Sequence, residues 1–111
     1  MIVKMNKSIN IPFPAQFALK KLGKDINNAR RRRRISKAMM AERAGIAINT
    51  LSKVEEGNPS TSMAAWVSVL FVLGLTENLQ DICDLKNDVT GIMLEDEDLP
   101  KRIRYKRKNY E

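Results

Sequence analysis

Histidine is absent from this 111-residue chain, and cysteine occurs once, as Cys83. Without imidazole the commonest general acid–base group and the commonest metal ligand are both missing. No other cluster of metal-binding side chains is visible in the sequence, so neither a metal nor a cofactor is expected. One thiol closes no internal disulfide, which fits a reducing cytosol. Cys83 lies in the acidic stretch LQDICDLK, the opposite of the electropositive setting in which a cysteine becomes a nucleophile. These absences leave no visible enzyme chemistry.

Aromatic residues make up only 5% of the chain. That is little material for stacking unpaired bases, and no RNA-binding module is recognisable, which argues against an RNA-binding role. Long apolar runs are lacking too. The longest, MAAWVSVLFVLGL at 63–75, is interrupted by Ser68. It falls well short of the roughly 20 residues that cross a bilayer and reads as a core helix. No apolar run follows the basic start, so no signal peptide is expected and the predicted location is the cytoplasm.

What the chain does have is charge, unevenly spread. The formal net charge is +7, but residues 1–57 hold 13 basic and 4 acidic side chains, a net of +9. Residues 58–98 set Lys86 alone against eight acids, a net of −7, and residues 99–111 return to +5. Two reversals of sign in one small domain point to two kinds of partner. A merely solvated surface is the alternative.

Periodicity supplies the elements. MIVKMNKSINIP reads as an extended arm, and Pro12 and Pro14 suit the first turn of a helix. Ala18, Leu22, Ile26 and Ala29 recur at helical spacing, so helix 1 is expected from about residue 15 to about 33. Ser36 is a good N-cap for helix 2, whose apolar face is Met40, Ala41 and Ala44 and whose end is Gly45. Helix 3 is expected from about Ile48 to Glu55, stopped by Gly57 and Asn58-Pro59. Ser60, Thr61 or Ser62 caps helix 4, which runs to Leu73, with Trp66, Val67, Leu70 and Phe71 as core. A short helix 5 over about 76–84 places Leu79, Ile82 and Cys83 on one side. VTGIML, 89–94, reads as a brief strand ahead of a solvated tail.

The stretch AERAGIAINTLSKVEEG, 41–57, is the most informative. Two helices of about eight residues are not stable alone, so both must pack on the body of the domain. At 100° per residue Leu51 and Val54 share one side of helix 3, while Asn49, Lys53 and Glu56 lie opposite, flanked by Thr50 and Ser52. Two apolar anchors thus hold a helix whose outer edge carries groups suited to base edges: Asn for adenine, Lys for guanine, and the Thr methyl or Ile48 for thymine.

The longer stretch ARRRRRISKAMMAERAGIAINTLSKVEEG resembles the Cro/repressor-type helix-turn-helix, the XRE family, over roughly residues 22–84. Ser36-Lys37 would open helix 2, Gly45 would make the turn, and Glu55 with Gly57 would close helix 3. The resemblance implies a mainly α fold class: a five-helix Cro/repressor-like helix-turn-helix domain over 15–85, an N-terminal arm over 1–14, and a C-terminal strand and charged tail over 86–111. It also implies DNA contacts by Lys37, Asn49, Thr50, Ser52 and Lys53, with Ile48 at the leading edge and Asn58 and Ser60 on phosphate. Arg30 and Glu55 would form a buried structural ion pair, with Arg31 to Arg34 solvated or within reach of phosphate. Three departures stand out. Ala47 replaces a Ser or Thr cap, Arg34 replaces a glycine, and Glu56 sets a negative charge near the groove.

A second resemblance lies at the other end. Leu73-Gly74-Leu75, Asp88-Val89-Thr90-Gly91 and Leu99-Pro100-Lys101-Arg102-Ile103-Arg104 are similar to motifs of the HipB-like antitoxins that accompany HipA-family kinase toxins. This implies a protein that represses its own operon and holds a kinase partner. Separately, helix 4 is apolar nearly all round and one short helix reads too few base pairs, which together point to a homodimer on an inverted-repeat DNA operator. A stand-alone XRE regulator with no toxin partner is the alternative.

Overall fold

Pro12 fixes the entry to the first helix. In the computed structural model, which describes residues 10–95 and 99–104, Pro12 is the N-cap of α1 (Phe13–Arg32), with Pro14 in the first turn, where a missing N–H is harmless. Of the expected N-terminal arm over 1–14, residues 1–9 lie outside the described residues, and Phe13 and Pro14 belong to α1 instead. Three further helices follow in quick order: α2 (Lys37–Ala44), α3 (Ile48–Glu55) and α4 (Met63–Leu73). Ser36 Oγ accepts from Met39 N to start α2, and Ser62 Oγ accepts from Ala65 N to start α4. α5 (Thr76–Gln80) is a single short helix.

All four long elements end in the same reciprocal pair of backbone bonds, a 6→1 bond enclosing a tighter one. Ile46 N reaches Ala41 O at 3.0 Å after α2, Asn58 N reaches Lys53 O at 3.0 Å after α3, and Leu75 N reaches Leu70 O at 2.9 Å after α4. The motif needs one residue in the left-handed region, supplied there by Gly45, Gly57 and Gly74. At the end of α1 the corresponding bond is Ile35 N to Arg30 O at 3.2 Å, and the left-handed residue is Arg34 at φ 58°. The replacement of glycine by Arg34 is therefore accommodated as local strain rather than as a longer helix.

The core draws on α1 to α4: Ile26, Met40, Leu51, Val54 and Val69 are fully buried, with Trp66, Leu70 and Leu73 around them. The face α1 presents is the expected one in its second half, where Ile26 and Ala29 are buried, but not in its first. Ala18 and Leu22 are exposed, while Leu19 packs on the core and Gly23 is buried. A Cβ at Gly23 would lie 2.5 Å from Val54 O, and one at Gly57 2.6 Å from Lys20 Cα. α1 therefore meets the end of α3 backbone to backbone, and that close approach decides which face turns inward. Phe71, expected in the core, is 71% exposed, and Val67 is half-buried.

Residues up to Leu79 and residues from Gln80 form two units. In the second, Asp84 Oδ1 accepts from Lys86 N at 3.0 Å to start a 3₁₀ turn at Leu85–Asn87, and Asn87 Nδ2 donates to Asp81 O at 2.7 Å. The expected strand at 89–94 is a helix instead, α6 (Val89–Met93). Asp88 Oδ1 accepts from Gly91 N at 2.9 Å; this cap overrides the β-preference of Val89 and Thr90. No strand occurs among the described residues. Helix 5, expected to reach 84, stops at Gln80, and both Ile82 and Cys83 are exposed. No described helix is long and apolar enough to cross a membrane.

Candidate nucleic-acid interface

α2 and α3 are joined by three residues, Gly45, Ile46 and Ala47. The backbone of Ala47 is extended (φ −71°, ψ 153°), and its side chain, lacking a hydroxyl, makes no capping bond. The first turn of α3 is thus held by tertiary packing: Leu51 and Val54 are both 0% exposed. Burying two such side chains contributes roughly 1.5–3 kcal/mol each, enough to fix an eight-residue helix that has no stability of its own.

An ion pair fixes the other end of α3. Arg30 Nε donates to Glu55 Oε2 at 2.7 Å and Arg30 Nη2 to Glu55 Oε1 at 3.3 Å. The two side chains are 8% and 5% exposed, so the pair expected from the resemblance is present and buried. Two further bonds, which sequence reading missed, complete it. Asn27 Nδ2 donates to Glu55 Oε1 at 2.7 Å, and Arg30 Nη1 donates to Ile35 O at 2.8 Å. One guanidinium thereby ties α1, the turn into α2 and the end of α3 together. Asn27 was findable, because it precedes Arg30 by three positions and so shares its face of α1.

The opposite edge of α3 is open. Asn49 and Lys53 are exposed and their side chains make no hydrogen bond to another described residue, and Ile48, first in the helix, is 48% exposed. Thr50 and Ser52 are half-buried on its flanks. Lys37, at the first position of α2, reaches across so that its Nζ donates to Ser52 Oγ at 3.1 Å. No spacing in the sequence announces that contact. Five of the expected residues, Lys37, Asn49, Thr50, Ser52 and Lys53, thus come from two helices fixed by one core, with Ile48 beside them.

The loop after α3 departs from expectation. Asn58 Oδ1 accepts from Ser60 N at 2.8 Å and from Ser60 Oγ at 2.7 Å. Both donors of Ser60 are occupied by this turn, while Asn58 Nδ2 makes no hydrogen bond among the described residues. The arginine run also divides. Arg33 Nη1 donates to Ala29 O at 2.9 Å and Nη2 to Leu73 O at 3.2 Å, so Arg33 satisfies a carbonyl in the last turn of α4. All of Arg31 to Arg34 are exposed, Arg33 included. Glu56 is exposed at the end of α3.

Comparison of the chain with protein-family models, curated proteins and solved structures finds no match.

Proposed function

We propose that this protein is a sequence-specific DNA-binding repressor and the antitoxin of a toxin–antitoxin pair, with α2 and α3 as its helix-turn-helix. The observation that carries this reading is the two-sidedness of α3. Leu51, Val54 and the Arg30–Glu55 pair hold one side rigidly, while Asn49, Lys53 and Ile48 stand free on the other. Such a helix suits the major groove, where Asn pairs bidentately with adenine, Lys with guanine O6 and N7, and methyl groups pack on thymine. Lys37 at the start of α2 and the Asn58 amide are suited to the flanking phosphates. No catalytic step, metal or cofactor belongs to this reading, and a DNA ligand would hold the protein at the nucleoid.

One such helix reads too few base pairs for useful specificity, so the operator is an inverted repeat and the protein a homodimer. Exposed Phe71 and Met63 on the nearly all-apolar α4 are the groups available to a second copy. The antitoxin half of the reading rests on the C-terminal motifs. Exposed Leu99 and Ile103 alternate there with Lys101, Arg102 and Arg104, a pattern suited to a protein partner such as a HipA-family kinase toxin.

A gel-shift titration against DNA upstream of the protein's own coding region tests repression. Binding to an inverted repeat with centres about 34–36 Å apart, weakening steeply with salt, is expected. Equal affinity for random duplex counts against it. Co-purification with the product of an adjacent kinase-like gene, lost on deleting residues 85–111 while DNA binding survives, is the expected antitoxin result. Operator binding with no captured kinase identifies a stand-alone regulator instead.

A further inference from the structure

The bond from Lys37 Nζ to Ser52 Oγ links the first residue of α2 to the middle of α3 across 15 positions of sequence. An ammonium has three donors and no acceptor, so Ser52 Oγ must accept. The hydroxyl hydrogen then points away from Lys37. Within a helix its ordinary resting place is the carbonyl four residues back, here Ile48 O. Ser52 Oγ makes no other hydrogen bond among the described residues, so that hydrogen is unspent. The neighbouring positive charge has a second effect. Any other N–H group approaching Oγ brings its positive end toward the ammonium and is disfavoured.

We propose that Lys37 is a positioning residue that makes the Ser52 hydroxyl a hydrogen-bond donor toward DNA. This rests on the DNA-binding reading above and adds the polarity of one contact to it. A hydroxyl alone contacts donors and acceptors equally and discriminates little. Biased as a donor, Ser52 donates to purine N7, guanine O6 or thymine O4 and rejects the amino groups of cytosine and adenine. The remaining two protons of Lys37 stay free for a phosphate, so this one side chain adds both general affinity and selectivity at one base pair.

The experiment is selection from a randomised duplex pool, followed by titration of the enriched duplex and its single-base variants. It uses the full chain and four variants: Lys37→Met, Ser52→Ala, the double variant, and Lys37→Arg. For the unaltered protein we expect discrimination of roughly tenfold at one base-pair position in favour of acceptor edges, the size of one good hydrogen bond. Lys37→Met, Ser52→Ala and the double variant should each lose that discrimination to the same extent, while Lys37→Arg, which still donates, should keep it. The uniform loss of affinity from the missing phosphate contact affects every duplex equally and does not enter the ratio. Unchanged discrimination in Lys37→Met, or losses that add in the double variant, overturns the proposal while leaving DNA binding intact. If no sequence is enriched at all, the DNA-binding reading itself fails and this inference falls with it.

Discussion

Arg30 and Glu55, 25 positions apart in sequence, meet at 2.7 Å with both side chains almost wholly buried. Every polar group of the pair that the geometry brings inward has a partner: Asn27 on the carboxylate, Ile35 O on the guanidinium. Such a pair positions elements more than it stabilises them, since burying two charges offsets most of their attraction. What it positions is the end of the proposed recognition helix.

Breaking that pair from one side strands a buried charge. Glu55→Gln or Arg30→Met should lower unfolding free energy by about 3–5 kcal/mol in urea titrations. A loss below about 1 kcal/mol would mean the pair is solvated in solution, as surface ion pairs are.

Arg34 holds φ 58°, a conformation glycine adopts without penalty and other L-residues adopt at about 1–2 kcal/mol. Arg34→Gly should therefore raise stability by about 1 kcal/mol, somewhat offset by the greater freedom of glycine in the unfolded chain. Thermal unfolding checks this, and a lowered midpoint would contradict the strain.

The sequence made the four principal helices legible, α2 and α4 through their serine caps and closing glycines, α1 and α3 through apolar spacing and stop signals without a side-chain cap. Ser36 and Gly45 bracket α2 as expected, and Leu51 and Val54 are the buried anchors of α3. Failures came where tertiary contact overrode local pattern. Periodicity alone chose Ala18 and Leu22 on α1; the direct approach of Gly23 to the Val54 carbonyl chose Leu19 and Gly23 instead. At 89–94 the β-branched Val89 and Thr90 suggested a strand, although Asp88 three residues before Gly91 was a readable cap. Of the candidate site, exposure of Asn49 and Lys53 followed from helical geometry. The Lys37–Ser52 bond and the carbonyl contact of Arg33 are long-range and had no local signature.

Gly23 is also a test of the α1–α3 contact. An added methyl would press on the Val54 and Glu55 carbonyls at 2.5 and 2.7 Å. Gly→Ala inside a helix normally stabilises, by roughly 0.5–1 kcal/mol. Here Gly23→Ala should destabilise, by about 1–3 kcal/mol as overpacking does. Chemical denaturation reads the sign directly.

Within the proposed function, Asn49→Ala and Lys53→Ala should each weaken binding to the preferred duplex by about 1–3 kcal/mol and relax the sequence selected at their own positions. Both residues are exposed, so the folded state should be unaffected by circular dichroism. Lys37→Ala should weaken binding to random duplex and reduce the salt slope by about one, and should weaken the preferred duplex further by the discrimination lost at the Ser52 position.

Leu51→Ala removes a fully buried anchor. It should destabilise by about 2–5 kcal/mol and release α3, seen as lost helicity before global unfolding. Unchanged thermal stability would contradict the packing described.

The most direct measurement is an amide chemical-shift map of the full chain titrated with its selected duplex. The account predicts that the largest changes fall on Lys37, Ile48, Asn49, Thr50, Ser52, Lys53 and Asn58, with the amides of Leu51 and Val54 moving only as their helix does. Changes confined to other surfaces, with the outer edge of α3 unmoved, would contradict it.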